Sequence, residues 1–262
     1  MSKKEVLIII PAYNEEENIE KVLKGLETPE IQAFADILVM NDHSTDKTNF
    51  LVKRHRRVTM ATHIYNLGYG GGIRLGYKYA VRRGYSYVIQ MDADGQHDVC
   101  NVPVLYRELL TPDQDGNLPD IVLGARFMEG SAPFPVSPVK KFAYSFFTLM
   151  IRLGTGKVIH DSTTGLQGLS RRAMLFYSQF GNFDDRYPDA NMITQMLLLG
   201  FHVREVPAVM HARTAGVSMH SGFKPVVYMI RNSLSILAVV FRIRVLKWNQ
   251  GAAEKYAEIM QE

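Results

Sequence analysis

Apolar runs at residues 6–10, 37–40, 59–64, 87–91 and 121–123, rich in β-branched side chains, alternate with amphipathic stretches of helical length through the first half of the chain. Short runs without polar alternation suit strands buried on both faces. Asn14 stands where a helix cap is expected, with Glu17 three residues later to close a capping box. Ile19, Val22, Leu23 and Leu26 then recur at helical spacing and predict one buried helix face. Strand and helix in alternation predict an α/β fold, a mostly parallel sheet with helices on both faces. Ligands of such sheets bind beyond the carboxyl ends of the strands.

The second half has another rhythm. Pro133, Pro135 and Pro138 break the pattern, and an aromatic-rich helical stretch follows over 140–153. A Gly/Thr/Ser-rich segment spans 154–168, a helix is expected over 189–199, a strand over 202–206, and a helical tail from 225 onward. The expected organisation is a domain over 1–222 and an amphipathic helical tail over 223–262.

Composition narrows this picture. Of the 262 residues, 47% are apolar and 21% charged, enough for a sizeable core and too few charges for a disordered chain. A net charge of +4 gives no general attraction for nucleic acid, and aromatics and cations form no stacking motif, so no nucleic-acid partner is expected. The single Cys100 excludes an internal disulfide and a cysteine-rich zinc site. The run at 6–10 is too short for a signal peptide. The charge-free stretch 232–241 covers only about 15 Å as helix, half the roughly 30 Å of a hydrocarbon layer.

The candidate chemistry sits where strands end. The first strand runs into Pro11-Ala12-Tyr13-Asn14-Glu15, the second into Asn41-Asp42-His43-Ser44-Thr45-Asp46, the fourth into Asp92-Ala93-Asp94-Gly95-Gln96-His97-Asp98. In the second cluster Ser44, Thr45 or Asp46 can simply cap a helix. In the fourth, Asp92, Asp94 and Gln96 occupy alternate positions and face one way if extended. Such oxygen donors suit Mg²⁺ or Mn²⁺, which complete their shells with water and substrate phosphates. The loop Asn66-Leu67-Gly68-Tyr69-Gly70-Gly71-Gly72 opens a helix and can approach a phosphate, although it matches neither glycine-rich phosphate fingerprint.

Taken in order, these clusters, with Gly68, Gly71 and Gly124-Ala125-Arg126, resemble family 2 glycosyltransferases of the GT-A fold, a Rossmann-like nucleotide-diphospho-sugar transferase fold. The closer likeness is to the dolichyl-phosphate mannose synthase and polyprenyl-phosphate glycosyltransferase branch, over roughly residues 5–220. The resemblance implies that Pro11, Ala12, Tyr13 and Glu15 line a nucleoside pocket and that Asp42 hydrogen-bonds the base. It implies that Gly68 and Gly71 admit the nucleotide and that Asp92, with Ala93 beside it, contacts ribose or metal. Asp94 with Gln96 would hold the ion bridging two phosphates, and Arg126 would face the sugar or its phosphates. A UDP-, dTDP- or GDP-sugar is the expected donor.

Acceptor residues are implied by the second half. Asp161-Ser162-Thr163-Thr164-Gly165-Leu166-Gln167 is similar to the branch's Asp-x-x-Ser-Gly-Phe-Arg, with Thr164 for serine and Gln167 for arginine. Val206-Pro207 and Arg213-Thr214-Ala215-Gly216-Val217-Ser218 match its Val-Pro…Arg-x-x-Gly-x-Ser-Lys, with Met219 in the lysine's place. His211, Arg213 and Ser218 are therefore candidates for an acceptor phosphate, along with His220. The reaction implied is inverting transfer to a polyprenyl phosphate or other lipid-linked acceptor in cell-envelope polysaccharide or glycan synthesis. A sugar hydroxyl acceptor would need a base, for which Asp189 and Asp161 are the candidates; Asp189 can equally be a helix cap.

In the tail, Val227, Ile230, Leu234, Leu237, Phe241 and Val245 form one stripe, with Arg231, Ser235 and Arg242 on an adjoining face. From 200 to 247 seven Lys/Arg face one acid, Glu205. This suits a helix lying on an anionic bilayer, and implies a cytoplasmic enzyme peripheral at the inner face of the membrane, with a small membrane protein as a possible partner. The competing classes are a nucleotidyltransferase, which would want a basic glycine-rich loop after the first strand, and a non-catalytic nucleotide-sugar-binding partner of a membrane complex.

Overall fold

In the computed structural model, residues 4–134, 136, 138–212 and 224–260 are described. The first half runs β1 (Val6–Ala12), α1 (Ile19–Leu26), α2 (Pro29–Phe34), β2 (Ala35–Asn41), α3 (Thr48–Lys53), β3 (Val58–Thr62), α4 (Tyr69–Arg83), β4 (Tyr87–Gln90), α5 (Asn101–Leu109) and β5 (Ile121–Ala125). It continues with α6 (Pro138–Thr155), β6 (Gln167–Ser170), α7 (Arg171–Ser178), α8 (Ala190–Leu198), β7 (Val203–Pro207), α9 (Lys224–Arg244) and α10 (Ala252–Ile259).

One sheet of order β3-β2-β1-β4-β6-β5-β7 divides two cores. In β1, Leu7 and Ile9 enter the core beneath α4, α7 and α8, while Val6, Ile8 and Ile10 enter the core beneath α1 and α5. Alternate side chains of a strand leave on opposite faces, so the uninterrupted apolar run is the signature of a strand covered twice. The expected helix face is as read: Ile19, Val22, Leu23 and Leu26 are all buried.

The expected Asn14 capping box is not formed. α1 begins at Ile19, and Asn14 lies in the turn before it with φ +54°. Its side-chain oxygen accepts instead from the Thr45 N–H at 2.8 Å. The turns at 14–16 and 44–48 interlock: the N–H groups of Asn14, Glu15 and Glu16 donate to Ser44, Thr48 and Asp46 side chains. Orphan donors at two chain turns thus satisfy each other across the sheet edge.

β6 begins at the end of the stretch read as a Gly/Thr/Ser-rich segment and runs two residues past it. It pairs antiparallel with both β4 and β5 in an otherwise parallel sheet. Because β6 is reversed, the segment leading into it, 161–166, lies at the carboxyl end of its neighbours, where ligands bind. The chain end joins the same core: Ile236, Val239 and Ile243 of α9, and Ala252 and Ala253 of α10, are buried against it. Among the described residues no helix is long and apolar enough to cross a membrane.

Candidate active site

The turns after β1, β2, β3 and β4, the segment before β6, and the loop before α8 meet at one edge of the sheet. Asp92 follows β4 and is held from three sides. The Tyr69 hydroxyl donates to its Oδ1 at 2.9 Å and itself accepts from Gln90 Nε2 at 3.0 Å. Gln90 Nε2 also donates to the Gly165 carbonyl, and its Oε1 accepts from the Tyr77 hydroxyl. The Asp92 N–H donates to His97 Nδ1, so the ring's remaining proton is on Nε2, 3.7 Å from Asp92 Oδ2. Burial holds the His97 pKa down to about 4, leaving the imidazole neutral at physiological pH. Gly165 completes the cradle: a Cβ there would lie 2.3 Å from Asp92 Oδ2. Glycine is required because no other residue leaves room for that carboxylate.

Asp94 closes an Asx-type turn, accepting from the Gln96 N–H at 3.0 Å. Gln96 turns toward the strand end after β7: its Nε2 donates to the His211 carbonyl, and the His211 N–H donates to the Gln96 carbonyl at 2.7 Å. His211 Nε2 pairs with Asp98 Oδ2 at 2.7 Å. The expected ligands Asp92 and Asp94 thus share one loop, whereas the Gln96 amide nitrogen is occupied on backbone.

Ala12 and Ala93 are buried, Pro11 is half-buried, and Tyr13 is half-exposed at the crevice mouth. Glu15 Oε2 accepts from Asn18 Nδ2. Asp42 clamps the glycine-rich loop. Its Oδ1 accepts from Leu67 N–H and faces His63 Nδ1, and its Oδ2 accepts from Gly68 N–H. The Gly71 N–H donates to the Asp185 carbonyl. These loop donors are already satisfied by protein, which orders the loop at the start of α4.

Arg126 and Asp161, both read as catalytic candidates, are partners. Arg126 Nε and Nη2 form a fork to the two Asp161 oxygens at 2.7 Å each, and its backbone N–H donates to Oδ2. The Asp161 carboxylate is fully buried and filled by these donors, so it anchors Arg126 and is not placed to take a proton. The guanidinium lies among the rings of Phe127, Phe134 and Tyr144. Gln167, in the place of the branch's arginine, is buried in β6 and donates to the Thr164 carbonyl.

Asp189 occupies the N-cap position of α8, but its side chain makes no capping bond. Asn191 Oδ1 takes the Asp189 and Met192 N–H groups instead. The Asp189 carboxylate accepts from the Tyr228 hydroxyl of α9 at 2.6 Å. Burial, with the charges of Asp92 and Asp184, pushes its pKa up to about 6, against the lowering effect of the Tyr228 bond. Arg213, Ser218 and His220 lie outside the described residues.

The family model for glycosyl transferase family 2 matches residues 7–175. The chain belongs to glycosyltransferase family 2. An uncharacterised protein of Methanocaldococcus jannaschii is 27% identical over 86% of this chain and 90% of its own length. The polyprenol monophosphomannose synthase of Mycolicibacterium smegmatis is 29% identical over 82% of this chain and 81% of that protein. The glucosyl-3-phosphoglycerate synthase of Mycobacterium tuberculosis, solved with Mn²⁺ and UDP-glucose, superposes with a TM-score of 0.63 at 18% identity, covering 90% of this chain and 79% of that one. At that identity the likeness shows the fold, GT-A, as the family 2 motifs imply.

Four site residues escaped the sequence reading: Tyr69, His97, Gly165 and Tyr228. All four were visible as residue types, but their partners at Asp92 and Asp189 are brought to them only by the fold.

Proposed function

We propose that the protein transfers a sugar, with inversion, from a nucleoside-diphosphate sugar to a polyprenyl phosphate presented at a membrane surface. The observation that carries the lipid acceptor is the orientation of α9 beside the site. Val227, Ile230, Leu234, Leu237 and Phe241 are each more than half exposed, while Asn232, Ile236, Val239 and Ile243 face the protein. On the adjoining face, Arg242 and Ser235 are turned inward: Arg242 donates to Gln195 and stacks on Trp248, and Ser235 accepts from Asn191. The helix therefore shows its apolar stripe outward. Phe142, Leu149 and Leu153 of α6, which packs beside it, are exposed as well. A large exposed apolar surface marks a membrane or partner contact. Likeness to a polyprenol monophosphomannose synthase supports the same acceptor class.

The residues present fit a divalent ion held jointly with a substrate. Among the described residues no three His, Cys, Asp or Glu side chains cluster around one point. Asp92 and Asp94 flank a single alanine, and magnesium-type ions are commonly held by one or two carboxylates plus substrate phosphates. Asp94 and Asp92 would hold Mg²⁺ or Mn²⁺, which when bound offsets the charge of the departing diphosphate. The chain's own contribution is preorganisation. Tyr69, His97 and Gly165 fix Asp92 before substrate arrives, and Asp42 fixes the loop at 67–68. Groups already in place cost no reorganisation at the moment of bond breaking.

With an ionised lipid phosphate as nucleophile no base is needed. Asp189 favours a second reading, a hydroxyl acceptor. Its carboxyl has a raised pKa of about 6 and is influenced by Asp92 across the crevice, which suits a general base working near neutrality. The test is a panel of UDP-, dTDP- and GDP-sugars with Mn²⁺ and vesicles carrying polyprenyl phosphate. Release of nucleoside diphosphate that requires the lipid phosphate, with a lipid-linked sugar as product, is expected. Donor turnover indifferent to the lipid phosphate overturns the acceptor assignment.

A further inference from the structure

β4 enters the site through Val88 and Ile89, with Met91 just past it, and one amide stands in this buried apolar run, Gln90, 4% exposed. Val88 joins the core beneath α4. Side chains two apart on a strand leave on the same face, so Gln90 also lies beneath α4, with Asp92 next in the row. An amide is kept at such depth where its hydrogen bonds are made. Gln90 Nε2 donates to the Gly165 carbonyl and to the Tyr69 hydroxyl oxygen, both at 3.0 Å, and Oε1 accepts from the Tyr77 hydroxyl at 2.7 Å.

These bonds run in one direction. A backbone carbonyl only accepts, so the amide edge that faces Gly165 is the nitrogen. The oxygen edge then faces Tyr77, whose hydroxyl donates. The second Nε2 proton occupies the Tyr69 oxygen and turns that hydroxyl's own proton to Asp92 Oδ1, 2.9 Å away. With the amide turned over, two oxygens would meet at Gly165, and the Tyr69 proton would be drawn to the amide instead of to Asp92. Burial and the Asp92 charge hold the Tyr69 phenol in its protonated form, its pKa well above the usual value. One buried amide, anchored on a backbone carbonyl, therefore decides which way the Tyr69 hydroxyl points. A carboxylate that binds a metal has to be ionised and aimed, and a group behind a ligand changes metal affinity by about 10- to 100-fold.

We propose that Gln90 is a positioning residue for Asp92: its amide fixes the Tyr69 hydroxyl as a donor to that carboxylate and thereby raises the affinity for the divalent ion. The effect on the ion rests on the reading that Asp92 shares in holding it; the direction of the Tyr69 hydroxyl does not. Two readouts keep these apart. Proton NMR of the full chain without metal follows the Tyr69 hydroxyl, assigned by its absence in Tyr69→Phe. Electron paramagnetic resonance follows Mn²⁺ binding in the presence of UDP, dTDP or GDP. The variants are Gln90→Met, which removes the donor at similar length, and Tyr77→Phe, which removes a hydroxyl that reaches Tyr69 through the Gln90 amide, each also in the Tyr69→Phe background. The expected hydroxyl resonance lies downfield in the wild type and moves upfield or is lost to exchange in both variants. Mn²⁺ affinity is expected to fall about tenfold in Gln90→Met and less in Tyr77→Phe, and most of either loss should vanish in the Tyr69→Phe background. General loosening of the core would not depend on that hydroxyl, so Mn²⁺ losses of equal size in both backgrounds overturn the proposal. A Tyr69 resonance unmoved in both variants overturns it as well. Should Gln90→Met not fold, Tyr77→Phe, which keeps the ring, carries both readouts. A moved resonance in a chain whose wild type binds no Mn²⁺ with any of the three nucleotides retains the placement of the Tyr69 hydroxyl and overturns the effect on the ion.

Discussion

Gly165→Ala isolates the cradle around Asp92. The new Cβ would stand 2.3 Å from Asp92 Oδ2 and 2.9 Å from its Cγ, where unstrained contacts need about 3.5 Å. Asp92 can relieve this only by retreating by about 1 Å. The Tyr69 bond, 2.9 Å long, then exceeds hydrogen-bonding distance. A hydrogen bond to a charged group is worth about 1.5–3 kcal/mol, or about 10- to 100-fold in a rate, and a displacement of this size in a catalytic group has a similar effect. The backbone itself tolerates the change, because Gly165 is not among the residues with positive φ. Restriction of the unfolded chain adds about 0.4–1 kcal/mol of stability against whatever the clash costs. The expected outcome is kcat/KM for the nucleotide-sugar lowered 10- to 100-fold at each Mn²⁺ concentration, with a melting temperature within a few degrees of wild type. Full kcat/KM in this variant would refute the claim that Gly165 and Tyr69 fix a working Asp92.

Asp189 makes two expectations with a defined sign. Its pKa is raised in the folded protein, so the folded state holds the proton more tightly and loses stability as pH rises from about 4 to about 6. Without added divalent ion, Asp189→Asn should therefore be more stable than wild type at pH 7, and equal to it near pH 3.5, by denaturant titration. Tyr228→Phe removes a bond that lowers this pKa, so if Asp189 is the base the acid limb of kcat/KM moves upward from about 6; an unmoved limb assigns the nucleophile to an ionised phosphate. Asp161→Asn leaves Arg126 buried without its counter-charge, which costs about 3–5 kcal/mol and lowers the melting temperature by roughly 10 °C; an unchanged melting curve contradicts the anchoring role. Leu237→Glu with Phe241→Glu should abolish sedimentation with phosphatidylcholine vesicles while the folded spectrum persists, and retained sedimentation would remove the membrane from the account.

The half of the fold made of buried parallel strands was legible because β1 and β2 carry short apolar runs that serve both cores. β6 was not, since Gln167-Gly168-Leu169-Ser170 carries no β-branched residue and is a strand only because β4 and β5 flank it. Asn14 has the composition of a cap and the conformation of a turn, and the competing partner, the 44–48 loop, is 30 residues away in sequence. The stripe of α9 was visible in the periodicity, but periodicity cannot say which side meets the core. There the bonds of Ser235 and Arg242 to Asn191 and Gln195 of α8 decided: the apolar stripe stays outward, as a bilayer-facing helix requires, and Arg242 turns inward. In the site, Asp92 and Asp94 were readable from spacing, whereas the Arg126–Asp161 pairing and the Asp189–Tyr228 bond are products of tertiary structure alone.

The central claim is that Asp92 and Asp94 present a divalent ion to a diphosphate. The most direct measurement is Mn²⁺ binding followed by electron paramagnetic resonance, with and without nucleoside diphosphate, in the wild type and in Asp94→Asn. The account requires at least tenfold tighter Mn²⁺ binding by the wild type when the nucleotide is present, and loss of that gain in the variant. An undiminished nucleotide-dependent gain in Asp94→Asn would contradict it.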